Sequence, residues 1–269
     1  MKTEKPTMQW SEEAEKAVSR VPFFVRKRVR KKVEGEAGRR GASRVTMDHV
    51  DACRERFLNR MDEEVRGYQV ETCFGHGGCP NRAVDCEGFV EEAENRMARA
   101  DLRSFLKEKT GGPLKLHHEF RVSISDCPNA CSRPQIADLG FIGACAPVIN
   151  QESCTGCGAC VAVCREGAIS LSDDRAVVND ARCVRCGRCV GACKAGAIKD
   201  GEKGYRILLG GKLGRHPRLA EEIPGIHSAD QALKILERVV EEYCRRCRKG
   251  ERLGEILEEV GGFKNFFRS

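Results

Sequence analysis

Two stretches of the chain, CTGCGACVAVCREGAI at 154–169 and CVRCGRCVGACKAGAI at 183–198, repeat one pattern 29 residues apart. All four cysteines coincide, as do the glycine after the second cysteine and the closing Gly-Ala-Ile. Each copy reads C-x2-C-x2-C-x3-C. The spacings of two let three thiolates come from one loop, whose backbone N–H groups also turn toward whatever the sulfurs hold. Seventeen cysteines in 269 residues exceed what packing needs. Pairing them as disulfides requires an oxidising compartment. The start, MKTEKPTMQW, is polar and lacks the apolar stretch of an export signal. The longest apolar run, LGFIGACAPVI, falls well short of the ~18 residues that cross a bilayer. The expectation is a cytoplasmic chain with no membrane partner, whose thiols are metal ligands.

The duplicated pattern is the bacterial ferredoxin run, in which the fourth cysteine of each copy serves the other cluster. On that scheme Cys154, Cys157, Cys160 and Cys193 hold one [4Fe–4S] cluster, and Cys183, Cys186, Cys189 and Cys164 hold a second. Zinc also takes four cysteines from CxxC pairs, but a zinc ribbon does not use two duplicated four-cysteine runs. Arg165 and Lys194 stand where a proline usually follows the fourth cysteine. Cations there favour the reduced cluster and raise its potential.

The rest reads as α+β, a small sheet covered by helices. Residues 1–62 form a basic N-terminal three-helix module: residues 1–60 hold 16 Lys and Arg against 9 Asp and Glu, which is the whole net charge of +7. Ser11, Pro22 and Thr46 open its helices. Residues 63–149 and 202–269 form the sheet domain. Strands are expected at GYQVETC, HHEFRVSIS, ADLGFIGACAPVI and GYRILLGGKLG. Helices are expected over 89–109 as one rod, over 229–250 and over 252–261. Residues 150–201 form the inserted ferredoxin domain.

A second set of cysteines lies outside the runs: Cys73 and Cys79, spaced C-x5-C in ETCFGHGGCPNRAVD, and Cys127 and Cys131, spaced C-x3-C in SDCPNACSRPQIADLGFIG. With Pro128, Asn129, Asp138, Gly140 and Gly143, and with the later GYRILLGGKLGRHPRLAEE and GERLGEILEEVGGFKNF, this resembles the siroheme-dependent nitrite and sulfite reductases. A ferredoxin inserted at this point is similar to the catalytic subunit of anaerobic sulfite reductases. The resemblance covers roughly residues 67 to 269. It implies a third [4Fe–4S] cluster on Cys73, Cys79, Cys127 and Cys131, with Cys131 also bound to the siroheme iron. It further implies a small oxyanion substrate, sulfite or nitrite, and an electron-donor protein or partner subunit.

A tetrapyrrole with many carboxylates and an anionic substrate both call for cations. Arg82, Lys115 and Arg121 are the candidates for the substrate, and Arg133, Lys212 and Arg215 for the cofactor. Each taken alone also reads as a solvated surface cation. Arg121 alternates with Phe120 and Val122, so it faces away from them.

One departure from the family is plain. Sulfite reductases precede this region with a half-domain whose strands supply arginines to haem and substrate, and none is found. Residues 10–61 instead resemble the C-terminal helical domain of a light-independent protochlorophyllide reductase subunit, through the tryptophan start, VPFFVRKRVR, EGEAGRRG and VTMDHVDAC. A partner, a second copy of this chain in a homo-oligomer, or nothing at all stands in for the missing half. Two functions are therefore carried forward, a siroheme reductase and a non-catalytic electron-transfer subunit with three clusters and no siroheme. Nucleic acid is not an expected partner, because RKRVRKK has no interleaved aromatics and reads as a solvated helix face. Cys244 and Cys247 read as helix-packing thiols, and Cys53, Cys86 and Cys145 as core.

Overall fold

The pairing of one strand with the next decides where the cysteines end up. The computed structural model describes residues 8–268, so most of the polar start lies outside the described residues. The chain divides into two units: one runs to Val65 and includes Gly112–Leu116, and the other holds Arg66–Gly111 and His117 onward.

The first unit contains helices α1 (Glu12–Ser19), α2 (Phe23–Arg39) and α3 (Met47–Glu64). Ser11 caps α1 by accepting the Ala14 N–H at 3.3 Å, and Glu12, Glu13 and Glu15 complement the positive end of the helix dipole. Ala14, Val33, Ala37 and Val45 form the centre of a small core that also takes in Trp10, Val29 and Val50. Strands β1 (Gln9–Trp10) and β2 (Arg44–Val45) pair in parallel beside the helices, a contact that two residues of sequence cannot announce. Glu36 is 3% exposed and is held by Arg39, Arg40 and Arg56.

The second unit is built on five strands: β3 (Tyr68–Thr72), β4 (Phe120–Ser125), β5 (Leu139–Ile149), β8 (Ile198–Leu209) and β9 (Glu221–His227), in that order across the sheet. The first three run parallel, while β8 and β9 are antiparallel to their neighbours. Helices α4 (Glu87–Arg99), α5 (Leu102–Thr110), α8 (Ala229–Arg246), α9 (Leu253–Val260) and α10 (Phe263–Phe266) complete this body. Aromatic side chains seal helix to sheet: Phe89 stacks on Tyr205 at 4.1 Å and meets Phe141 edge-on at 5.1 Å, and Phe120 lies 5.1 Å from Tyr243.

Three expectations need correcting. The single rod over 89–109 is two helices, because Asp101 adopts a left-handed φ of 42° and caps α5 through the Ser104 N–H. The strand expected from 204 begins at Ile198, where it pairs with Ile149, so β5 and β8 run on as a long antiparallel ribbon. The last strand, β9, was not foreseen. Its EEIPGIH is polar and contains Pro224, which is tolerated because β9 is an edge strand.

Between the arms of the ribbon lie α6 (Ala159–Val163), the hairpin β6 (Ile169–Ser172) and β7 (Arg175–Val178), and α7 (Arg188–Ala192). No helix among the described residues is long and apolar enough to cross a membrane.

Candidate metal centre

Parallel pairing brings the two cysteine pairs of the sheet to one end. Strands β3 and β4 are in register from Tyr68↔Phe120 to Thr72↔Ile124. Cys73 directly follows β3, and Cys127 comes two residues after β4. The Cys73 N–H donates to the Ile124 carbonyl at 3.1 Å, and the Asp126 N–H returns a bond to Cys73 Sγ at 3.3 Å. A 3-10 turn at Gly75–Gly77 then leads to Cys79, whose N–H reaches the Gly75 carbonyl at 3.1 Å. Any Cβ at Gly75 would strike the Asp126 carboxylate, so this turn requires glycine. Both oxygens of that buried carboxylate lack a hydrogen-bond partner.

Ala130 (φ 53°) and Arg133 (φ 62°) reverse the loop that follows β4. Ser132 is pinned beneath it, donating to the Ile124 carbonyl at 2.8 Å and receiving the Ser123 hydroxyl on its own carbonyl at 2.7 Å. Cys131 is left exposed, with the Asn129 side-chain amide donating to its sulfur at 2.9 Å. Burial pushes the Cys127 thiol up, and the nearby charges of Cys131, Cys73 and Cys79 push in the same direction.

In the duplicated segment, Cys154, Cys157, Cys160 and Cys193 line one small cavity together with Leu171, Ala176 and Ile198. Backbone donors serve these sulfurs. The N–H groups of Gly156 and Ala176 lower the Cys154 thiol, and that of Ala159, with the Thr155 side chain, lowers Cys157. Cys164 belongs to the first run but receives the Ala168 N–H at 3.2 Å. Burial raises Cys189 to about 11, with the charges of Cys186 and Cys183 adding to it.

This donor set can be tested against the two kinds of metal group. A zinc ion holds its thiolates at about 2.3 Å, which draws the sulfurs almost into contact. Among the described residues no three Cys, His, Asp or Glu side chains close on a point in that way. The cavity among Cys154, Cys157, Cys160 and Cys193, with N–H groups donating to sulfur, is a donor set that an iron–sulfur cluster takes.

The cations divide by their partners. Arg82 pairs with Asp85 at 3.1 Å, and the buried Lys212 pairs with Glu255 at 2.9 Å. Arg121 lies on the face of β4 shared with Ser123 and Ser125, the side of the cysteine loop, and its Nε is buried without a partner. Arg133 and Arg215 are exposed. Lys115 lies in the segment that belongs to the helical unit. Burial raises Cys244 to about 11, with Cys247 adding to it, and it raises Cys247 as well. These are the thiols of a packed helix rather than activated ones.

Sequence reasoning overlooked Asp126 and Asn81, and read Cys145 only as core. Asp126 packs against Gly75. Cys145 sits against Gly187 with its thiol 3.1 Å from Asp200. Asn81 accepts a hydrogen bond from Arg188 at 2.6 Å across 107 residues of chain. A signal for Arg188 was available, because the first copy of the repeat has Ala159 at the equivalent position.

Comparison with known proteins agrees with this geometry. Residues 66–268 match the family described as nitrite and sulphite reductase 4Fe-4S domain, and residues 10–54 match that of the proto-chlorophyllide reductase 57 kD subunit. The chain is 36% identical over 195 residues to the coenzyme F420-dependent sulfite reductase of Methanocaldococcus jannaschii, covering 70% of this chain and 28% of that one. It is 33% identical over 138 residues to one subunit of the anaerobic sulfite reductase of Salmonella typhimurium, covering 49% of this chain and 40% of the relative. Its start is 48% identical over 56 residues to one subunit of the light-independent protochlorophyllide reductase of Heliobacterium modesticaldum, covering 21% of this chain and 11% of the relative. The chain thus spans well under half the length of these relatives.

Proposed function

The chain belongs to the nitrite and sulphite reductase 4Fe-4S domain family, and on that premise we propose that it delivers electrons through three [4Fe–4S] clusters to a siroheme at which sulfite or nitrite is reduced. In this reading residues 1–62 are a basic helical module, 63–149 with 202–269 the reductase domain, and 150–201 an inserted ferredoxin. Cys73, Cys79, Cys127 and Cys131 would hold the reductase cluster, and Cys131 would be the thiolate next to the haem. Cys154, Cys157, Cys160 and Cys193 hold the first ferredoxin cluster, and Cys183, Cys186, Cys189 and Cys164 the second. When bound, siroheme supplies the iron that holds the oxyanion, and the clusters supply electrons singly.

The chain's own residues prepare the site. The β3 and β4 ends fix the spacing of the two thiol pairs, and the Asn129 amide and Asp126 N–H stabilise charge on sulfur. Arg121 offers a buried, unpartnered N–H to an anion on the cysteine-loop side. The exposed Arg133 and Arg215 are the candidates for cofactor carboxylates, whereas Arg82 and Lys212 join in only after leaving Asp85 and Glu255. An electron-donor protein or partner subunit, in some arrangements a second copy of this chain, completes the system.

The parallel pairing of β3 with β4, which sets Cys73 one residue past one strand and Cys127 two residues past its neighbour, is the observation that carries this reading. Anaerobic reconstitution with iron, sulfide and siroheme should give about twelve irons from the clusters and one more from the haem. The loaded protein should then oxidise a low-potential donor when sulfite or nitrite is added. Full loading without turnover on either oxyanion overturns the catalytic claim.

A second reading draws on the ion pairs of Arg82 and Lys212, which neutralise two of the expected cations. The chain is then a non-catalytic subunit with three clusters and no siroheme, serving a partner reductase. An absorption spectrum of natively purified material without tetrapyrrole bands selects it.

A further inference from the structure

The duplication supplies an internal control. The two runs have matching backbones, with Gly158 at φ 74° before α6 and Gly187 at φ 70° before α7, each helix five residues long. Their surroundings differ. Thr155, Cys157 and Val161 of the first run are exposed, while the equivalent Val184, Cys186 and Val190 are half-buried. A Cβ on Gly158 would meet nothing within 4 Å, whereas one on Gly187 would lie 3.0 Å from Cys145 Cβ and 3.2 Å from its sulfur.

At two positions where the copies differ, the second run contacts the sheet domain, once through backbone and once through a side chain. Gly156 becomes Arg185, which keeps the left-handed conformation at φ 59° although arginine disfavours it. Its carbonyl accepts the Cys145 N–H of β5 at 2.7 Å, next to a parallel bridge between Cys145 and Cys186. Ala159 becomes Arg188, whose guanidinium donates to Asn81 Oδ1 at 2.6 Å. Asn81 is two residues past Cys79, and Arg188 directly precedes Cys189. Two of the positions at which the copies differ therefore touch the sheet domain, one through β5 and one through the C-x5-C loop.

We propose that the second run is the outlet through which electrons leave the inserted segment for the Cys73/Cys79/Cys127/Cys131 centre. Arg188 and Asn81 are the positioning residues that hold this outlet in register, and the first run, with Cys157 exposed, faces the donor. The assignment rests on the cluster ligation given above. The step itself forms and breaks no bond: a reduced cluster returns from the 1+ to the 2+ state, and the sheet-domain cluster goes from 2+ to 1+. An external low-potential one-electron donor replaces the electron.

The test uses the full chain with its clusters loaded. Upon reduction, magnetic coupling to the sheet-domain cluster should appear in the EPR signal that Cys189→Ser perturbs. A coupled signal that responds to Cys160→Ser instead overturns the assignment. Arg188→Ala, the residue of the first copy, should retain iron content. After mixing with dithionite it should slow reduction of the sheet-domain cluster, followed by freeze-quench EPR, by about tenfold, the scale expected when a positioned pair loses its register. Arg188→Lys should recover part of the rate, and Asn81→Ala should match Arg188→Ala from the other side of the bond. Rates within twofold of wild type in both alanine variants overturn the positioning role. Iron analysis separates this from the parent reading: a wild-type chain without a sheet-domain cluster sinks that reading, whereas a cluster coupled to the first run sinks the outlet alone.

Discussion

Glu36 is a buried carboxylate that owes its charge to three arginines. Hydrogen bonds from Arg56 and then Arg39 hold it at about 2, below its ordinary 4.5. Between those values the unfolded chain binds a proton that the folded chain refuses. The stability Glu36 contributes is thus complete above pH 4.5 and is lost as pH falls toward 2. Glu36→Gln should be less stable than wild type near neutrality, and the gap should close over that window. Denaturant titrations of both chains at several pH values between 2 and 6 read this directly; a gap independent of pH contradicts it. The same residue shows the limit of pattern reading. Glu36 lies in EGEAGRRG, and nothing local announces that Arg56, 20 positions away, will fold back onto it.

At the scale of elements, local chemistry was legible where a motif is short and self-contained. Ser11 caps α1 and Ser228 caps α8 with Gln231 answering in a capping box, because those bonds join residues three apart. The cysteine runs are legible for the same reason. The break at Asp101 was not, since ARADLRSF continues the apolar period through it. Asp101 offsets its left-handed backbone by accepting the Ser104 N–H at 3.4 Å. Asp101→Asn should be nearly neutral, because asparagine both caps and tolerates this conformation. Asp101→Ala should cost about 1–2 kcal/mol, measured by urea unfolding. Equal stability of the two variants would show that the cap contributes little. The missed β9 and the extension of β8 to Ile198 have another cause: each strand is stabilised by its neighbour rather than by its own composition.

On the scale of the molecule, the second unit holds two unequal cores. The sheet buries Phe120, Ile124, Leu139, Phe141, Ile207, Leu209 and Tyr243 at 1% exposure or less. The segment between the ribbon arms buries Cys160, Ile169, Ala176, Cys189 and Ile198, and two of these five are thiols of the runs. So small an apolar set leaves a segment of some fifty residues marginal, close to the ~40 residues below which metals or disulfides are usually needed. On the proposed ligation, metal binding there becomes folding free energy. Removing iron and sulfide should therefore act unevenly. Amide hydrogen exchange should rise by orders of magnitude in the β6–β7 hairpin and in α6 and α7, while β4, β5 up to Cys145 and β8 after Gly204 stay protected. The boundary should fall near Cys145, where the N–H to Arg185 and the thiol to Asp200 tie the segment to the sheet. Uniform loss of protection would mean that the clusters support the whole unit, and unchanged protection in the hairpin would mean that its small core suffices without metal.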